Sequence, residues 1–242
     1  MVSSDFRKEA RLKLTGKWGK AACIVLAYLL VSFAIGFVQG LLPKTGIIAF
    51  IASVVAYAIE IPLAFGTFYA FFKLYCDEDV TAFSFWTLGF DNFKKSWGIT
   101  LKTLLKLIVP LILAIASIIL STVFNLMSVT NSLIVSSSNS TYGFLSLIFT
   151  IVYLIAIVWL ISKSYYYSLA QCVAFDNPDL TSTECIEKSK ELMTNNRGKL
   201  FCLQLSFIGW AILAAFTFGI GFLWLVPYMQ VATVAFYDKL AH

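Results

Sequence analysis

Histidine is all but missing from this chain, with His242 the single copy. Histidine-based acid-base catalysis and histidine-built metal sites lose their usual residue. The five cysteines, at positions 23, 76, 172, 185 and 202, form no CxxC pair and no zinc-ligand spacing. No metal and no cofactor is therefore expected. Charge is scarce as well: Asp, Glu, Lys and Arg make up 13% of the residues, about half the share of a soluble domain. The few acids are scattered rather than paired, so hydrolysis by two carboxylates in a wet cleft has no candidate pair, and no enzyme is expected. The net charge of +5 does not point to nucleic acid, because a chain this apolar places its cations against anionic headgroups instead.

What fills the space is oil. Hydrophobic residues are 60% of the chain and the mean hydropathy is +0.84. The expected fold class is all-α, a polytopic membrane protein with one membrane domain over residues 1–242. Six apolar runs are long enough to cross a hydrocarbon core of about 30 Å at about 1.5 Å per residue. They cover residues 21–42, 46–72, 104–127, 144–171, 199–217 and 220–237. The first is too long for a signal-peptide core and ends in no small-x-small cleavage site, so it reads as a retained span. Prolines at 62, 110 and 227 fall inside spans and predict helix kinks.

Between the spans lie amphipathic segments. Phe6, Ala10, Leu14 and Trp18 recur every four residues among Arg7, Lys8, Arg11, Lys13, Lys17 and Lys20, the pattern of a basic helix lying on a membrane surface. Phe83, Trp86, Phe90, Phe93 and Trp97 recur at steps of three and four, which predicts a second interfacial helix. Thr181 and Glu184 stand at capping-box spacing and predict a third helix running to about Thr194. Asp77, Glu78 and Asp79 read as a solvated loop, since their spacing fits no calcium loop. The uncharged stretch 128–143 reads as an external loop, with a glycosylation-type Asn139-Ser140-Thr141 sequence inside it.

Charge sets the orientation. With both termini and the two long connections inside, seventeen of the eighteen Lys and Arg residues face the cytoplasm, Lys44 being the exception. All acids except Glu60 lie on the same side. The expected location is the plasma membrane, multi-pass, with both termini cytoplasmic and the three amphipathic helices forming a collar at the inner leaflet. A helix followed by a two-span hairpin occurs three times, over about 1–72, 78–171 and 180–242. Gly19-Lys20 pairs with Gly198-Lys199, Cys23 with Cys202, and Trp18-Gly19 with Trp97-Gly98.

The segments Asp176-Asn-Pro-Asp, Glu187-Lys-Ser-Lys-Glu-Leu-Met193, Leu205-Ser-Phe-Ile-Gly-Trp210 and Gly219-Ile-Gly-Phe-Leu-Trp-Leu-Val-Pro-Tyr228 resemble the signature of a family of bacterial integral membrane proteins. That family is common in Firmicutes and known only as a domain of unknown function. Phe6-Arg-Lys-Glu-Ala-Arg and Gly16-Lys-Trp-Gly19 are similar to its opening. Its layout is similar to the membrane domain of some glycerophosphodiester phosphodiesterases. The resemblance implies six spans and supplies no catalytic residues. Thr194-Asn-Asn-Arg197 departs from the Asn-Gly-Lys type of turn common in that family.

One carboxylate stands apart. Glu60 lies within the second span, and helical spacing puts Ser53, Tyr57, Glu60 and Thr67 on one face, which is expected to look inward because polar side chains avoid lipid. Lys163 is a candidate ion-pair partner, although a lysine beside Tyr165, Tyr166 and Tyr167 at a span's end also suits a snorkelling anchor. Two readings of function stand open. The first is a small transporter or lipid-handling protein with a polar interior centred on Glu60, taking a small-molecule or lipid substrate. The alternative is a non-enzymatic scaffold that organises membrane protein partners. Membrane lipids, with anionic headgroups at the inner leaflet, are expected partners in either reading.

Overall fold

A computed structural model describes residues 3–43, 45–134 and 140–242, and every regular element among them is a helix. Lys44, Asn139 of the sequon and residues 135–139 of the expected external loop lie outside the described residues. The helices are α1 (Ser3–Leu14), α2 (Trp18–Leu41), α3 (Ile47–Tyr75), α4 (Ser84–Asp91), α5 (Phe93–Ile134), α6 (Ser140–Ser164), α7 (Ala170–Asp176), α8 (Ser182–Met193), α9 (Arg197–Leu205), α10 (Ile208–Phe216) and α11 (Phe222–Ala241). A single 3₁₀ turn, Tyr165–Tyr167, follows α6.

By length and composition, five segments are able to cross a membrane: Trp18–Leu41, Ile47–Tyr75, Phe93–Asn131, Thr141–Asp176 and Arg197–Phe216. Helix α11, the sixth expected span, falls outside this group. Pro227, Tyr228, Gln230, Tyr237, Asp238 and Lys239 dilute its apolar content, and nine of its residues are buried in the protein. The fifth segment is not one helix, because Ser206 and the buried Phe207 interrupt it between α9 and α10. The expected loop at 128–143 is largely helix: α5 continues to Ile134 and α6 begins at Ser140. Thr130 stays helical by returning its hydroxyl to the Leu126 carbonyl at 3.0 Å. At 42 residues α5 is about 63 Å long, twice what a span requires.

The chain divides into two compact units, Lys102–Ser168 and the remainder, Met1–Leu101 with Leu169–His242. The smaller unit holds most of α5 and α6, while α4 belongs to the larger one. Its helices bond through small polar side chains: the Ser121 and Thr150 hydroxyls are 2.7 Å apart, and the Phe124 and Phe149 rings stack at 5.5 Å. Without water, such hydroxyl pairs and small residues are what bring helices together.

In the larger unit the core gathers at the end that carries the charges. Along α3, Ile47, Ile48, Phe50, Ile51, Val54 and Val55 are exposed, whereas Leu63, Phe65, Phe68, Ala70, Phe71 and Leu74 are buried. Helix α2 shows the same division, with Ala21, Ile24 and Val25 buried and Phe33, Phe37 and Leu41 exposed. The bare halves are apolar surface of the kind hydrocarbon covers. The buried halves pack on the short helices. Phe175 of α7 enters an aromatic nest on α3, stacked on Tyr69 at 4.3 Å and edge-on to Phe65 at 4.8 Å. The apolar stripe of α1, Phe6, Ala10 and Leu14, is buried, with Phe6 edge-on to Phe236 of α11. The expectation that Phe6 lies in a lipid interface is therefore corrected: this stripe is a core face. Helices α1 and α8 each bury a face in the protein, and α4 buries Phe85 and Gly89.

The aromatic pattern from Phe83 to Trp97 also divides. Phe83 precedes α4, Trp86 and Phe90 lie within it, and a break at Asn92 passes Phe93 and Trp97 to α5. Phe83, Trp86 and Phe93 are exposed, while Trp97 is half-buried. What seats α4 is glycine. A Cβ on Gly66 would stand 2.0 Å from the Phe85 carbonyl oxygen, and one on Gly89 would stand 2.2 Å from that of Pro62. The backbones of α3 and α4 touch here, at a separation only glycine allows. Pro62, Pro110 and Pro227 all lie within continuous helices. Pro62 has no N–H to give the Ala58 carbonyl, and the Trp97 indole N–H donates to that oxygen at 3.4 Å. The capping box forms as expected, with Thr181 accepting from the Glu184 N–H and the Glu184 carboxylate accepting from the Thr181 N–H at 2.8 Å.

Candidate functional site

Several grooves open on the larger unit, one of them, about 440 Å³, lined by Cys23, Leu26, Leu30 and Phe83. The first, about 330 Å³, is assembled from opposite ends of the sequence: Arg11 and Trp18 from its start, Trp210, Trp224, Leu225 and Tyr228 from its last helices. Three of the six tryptophans in the chain line it. Its floor is set by the turn between α10 and α11. Phe218 and Gly219 adopt positive φ values of 52° and 87°, and the Thr217 hydroxyl donates to Ala214 O at 2.7 Å while accepting from the Gly221 N–H at 2.9 Å. Gly221 comes so close to Ala214 that a Cβ there would meet the Ala214 Cα at 2.7 Å. Trp210 lies one helical turn before that contact and Trp224 about one turn after it, so the two indoles flank the cleft.

Tyr228 is the hub. Its ring stands edge-on to Trp18 at 6.1 Å and to Phe207 at 5.0 Å, and its hydroxyl donates to the Arg7 carbonyl at 3.2 Å. The Arg11 guanidinium lies over the same ring at 5.9 Å, a cation-π distance. The site is thus an aromatic, apolar trough with one fixed cation on its wall. Such a trough can hold a chain of methylenes and place one anionic or polar head beside the guanidinium.

The second groove, about 660 Å³, lies between α2 and α3. Ile35, Val38, Ile51, Val55 and Ile59 line it, and its polar group, Gln39, donates to Ala52 O at 3.4 Å. It is an apolar surface with nothing to orient a head.

Three of the six cations on the N-terminal segment form ion pairs with an acidic loop. Lys13 and Lys17 both meet Asp77 at 2.6 Å, Lys20 meets Asp79 at 2.5 Å, and Lys73 meets Glu78 at 2.8 Å. The acidic loop expected to be merely solvated is therefore a counter-charge for α1 and the start of α2. Asp77 sits at positive φ, 63°, to face both lysines. Hydrogen bonds from Lys13 and then Lys17 hold its carboxyl down to about 2, and the bond from Lys20 lowers Asp79. Glu184 is lowered by the Thr181 backbone N–H. Tyr75 donates toward Glu9 at 2.7 Å and Asp238 at 3.1 Å, tying α1, α3 and α11 together.

The polar face expected on α3 divides in the structure. Ser53 returns its hydroxyl to Ala49 O and Thr67 to Leu63 O, both at 2.8 Å, so each satisfies itself within the helix. Thr67 is buried, but Tyr57 is 63% exposed, which corrects the expectation that this face as a whole looks inward. Glu60 is half-buried at the border between the bare and the buried halves of α3, without a hydrogen-bond or ion-pair partner among the described residues. It lines none of these grooves. Lys163 belongs to the smaller unit, where its ammonium lies over the Trp159 ring at 4.7 Å, a cation-π distance.

Sequence reasoning passes over Arg11, Trp210, Trp224 and Tyr228 as a set. Roughly two hundred positions separate the two ends, and no local spacing joins them. The available signal is composition: half the tryptophans fall at position 18 and in segment 210–224 together. No curated protein and no solved structure matches this chain. Over residues 1–242 it matches the family described as "Protein of unknown function (DUF975)", and it belongs to that family.

Proposed function

We propose that this protein is a multi-pass plasma-membrane protein that handles lipid, seating one amphiphile in the tryptophan-lined trough between α1, α10 and α11. In this reading the chain crosses six times, α11 being the shielded sixth helix, and both termini are cytoplasmic. The observation that carries it is the trough itself: three indoles and Tyr228 around an apolar cleft, with the Arg11 guanidinium held over the Tyr228 ring. Tryptophan and tyrosine are the residues that accept an apolar chain on one side and a wet headgroup on the other. The alternative centre, Glu60, has less support because none of these grooves reaches it.

The test is photocrosslinking in nanodiscs with a phospholipid carrying a photoreactive acyl chain. Crosslinks are expected to concentrate on peptides spanning 210–228 above the level on the bare halves of α2 and α3. Leu213→Trp, at a groove position that is 58% exposed, fills the trough and is expected to suppress them. Uniform labelling of all apolar surfaces, unchanged by that substitution, would remove the reading.

A scaffold role draws on a different observation. Phe83, Trp86 and Phe93 are exposed together near α4, an aromatic patch of the sort that meets a membrane protein partner.

A further inference from the structure

We infer that the lipid taken by the trough is anionic, its phosphate held by the guanidinium of Arg11 with Arg7 one turn away. This rests on the lipid-handling reading and adds the headgroup class.

The argument is the distribution of counter-charges. Lys13, Lys17, Lys20 and Lys73 each have a carboxylate within 2.8 Å. Lys95 is held by three backbone carbonyls, those of Ala174, Asn177 and Pro178. The two arginines of α1 have no such carboxylate among the described residues, and Arg11 is the cation that lines the trough. Arg11 has the Tyr228 ring and no carboxylate among the described residues. Arg7 gives one N–H to Ser206 O at 3.4 Å, while its Nε is buried with no partner. Two acids on the helices that build the trough are engaged with α3 instead. Glu9 of α1 and Asp238 of α11 both accept from the Tyr75 hydroxyl. Arg11 lines the apolar trough, and Arg7 stands one turn before it on the same face of α1.

The residue type narrows the anion. A guanidinium offers a planar fork of donors that matches phosphate oxygens two at a time, and it is less strongly hydrated than an ammonium. The Tyr228 ring beneath Arg11 holds that fork in place before the head arrives. The apolar walls demand a chain attached to it, so the occupant is a phospholipid rather than free phosphate.

The experiment compares photoreactive phosphatidylglycerol with photoreactive phosphatidylcholine at equal mole fraction in nanodiscs of the whole protein, mapping crosslinks to peptides 210–228. Both probes carry a phosphate, and the choline ammonium neutralises that of phosphatidylcholine, so the guanidinium is expected to favour the anionic probe by roughly tenfold. Arg11→Gln is expected to abolish the preference, and Arg11→Lys to restore it in part. Because Arg11 is exposed, its replacement leaves the core unaltered. Equal labelling by both probes at 210–228, still blocked by Leu213→Trp, overturns the headgroup inference and leaves the trough as a lipid site. Loss of the anionic preference on adding inorganic phosphate in the low millimolar range would assign the site to free phosphate and overturn the lipid.

Discussion

Replacing Gly66 by alanine is expected to loosen the larger unit, and the geometry says by how much. The new methyl carbon would stand 2.0 Å from the Phe85 carbonyl oxygen and 2.6 Å from the Gly89 nitrogen. Even a favourable C–H···O approach needs about 3.3 Å between carbon and oxygen, so α3 and α4 must separate by about 1 Å. A gap of that size forfeits a quarter to a half of each facing dispersion contact. Both neighbours are backbone atoms that no rotamer change can move, which places the substitution at the upper end of the roughly 1–3 kcal/mol typical of overpacking. Gly89→Ala meets Pro62 O at 2.2 Å and should have a similar effect. The double variant should fall short of the sum, because one separation of the helices relieves both clashes. Gly36→Ala, in open space on α2, should be neutral or stabilising by up to about 1 kcal/mol. Thermal unfolding can be followed by the exposure of Cys172 and Cys185, both fully buried in this unit, to a thiol-reactive dye. At about 2–4 °C per kcal/mol, the drop for Gly66→Ala is roughly 4–10 °C. Equal midpoints for Gly66→Ala and Gly36→Ala would refute the backbone contact.

Asp77→Asn is expected to remove a pH-dependent clamp. Because the carboxyl is held at about 2, below its usual range near 4, its contribution is fully present above about pH 4 and disappears as pH falls toward 2. The difference in thermal midpoint between wild type and variant should follow that window and shrink in about 1 M salt, where the screening length is near 3 Å. A difference that persists below about pH 2 would contradict it. Trp97→Phe leaves the Ala58 carbonyl without its indole donor and should destabilise by about 1–2 kcal/mol. In a Pro62→Ala background, where position 62 regains an N–H for that carbonyl, the same change should have a smaller effect in unfolding measurements, and equal penalties in both backgrounds would dismiss the compensation. Thr181→Ala removes one half of the capping box and should lower stability by about 1 kcal/mol, with Thr181→Ser close to wild type; an alanine variant matching wild type would show the cap to be idle.

Much of this protein is legible from its residues in order. The apolar runs have to become helices, because a backbone in hydrocarbon must satisfy its own hydrogen bonds. Capping at Thr181 is readable too, since its two partners stand three positions apart. The local spacings fail where a neighbour distant in sequence decides the outcome. The periodicity of Phe6, Ala10 and Leu14 correctly indicates an oily stripe, but the same stripe serves lipid or a second helix, and only packing against α11 selects between them. Asp77 and Asp79 look solvated because nothing nearby in the chain explains them; Lys13, Lys17 and Lys20 do. Glu60 is conspicuous as a lone acid in an apolar run, yet none of these grooves meets it.

The sequence alone determined that the chain is helical, that its long apolar runs are able to cross a membrane, and where several helices begin. Those properties depend on composition and on contacts within a turn or two. Tertiary structure alone decided that the core forms at the charged end, that Gly66 and Gly89 bring two backbones together, and that Arg11 and Trp18 meet Trp210, Trp224 and Tyr228 around one trough. Those depend on which surfaces are complementary across roughly two hundred residues of chain, and complementarity of shape and charge exists only once the helices have packed.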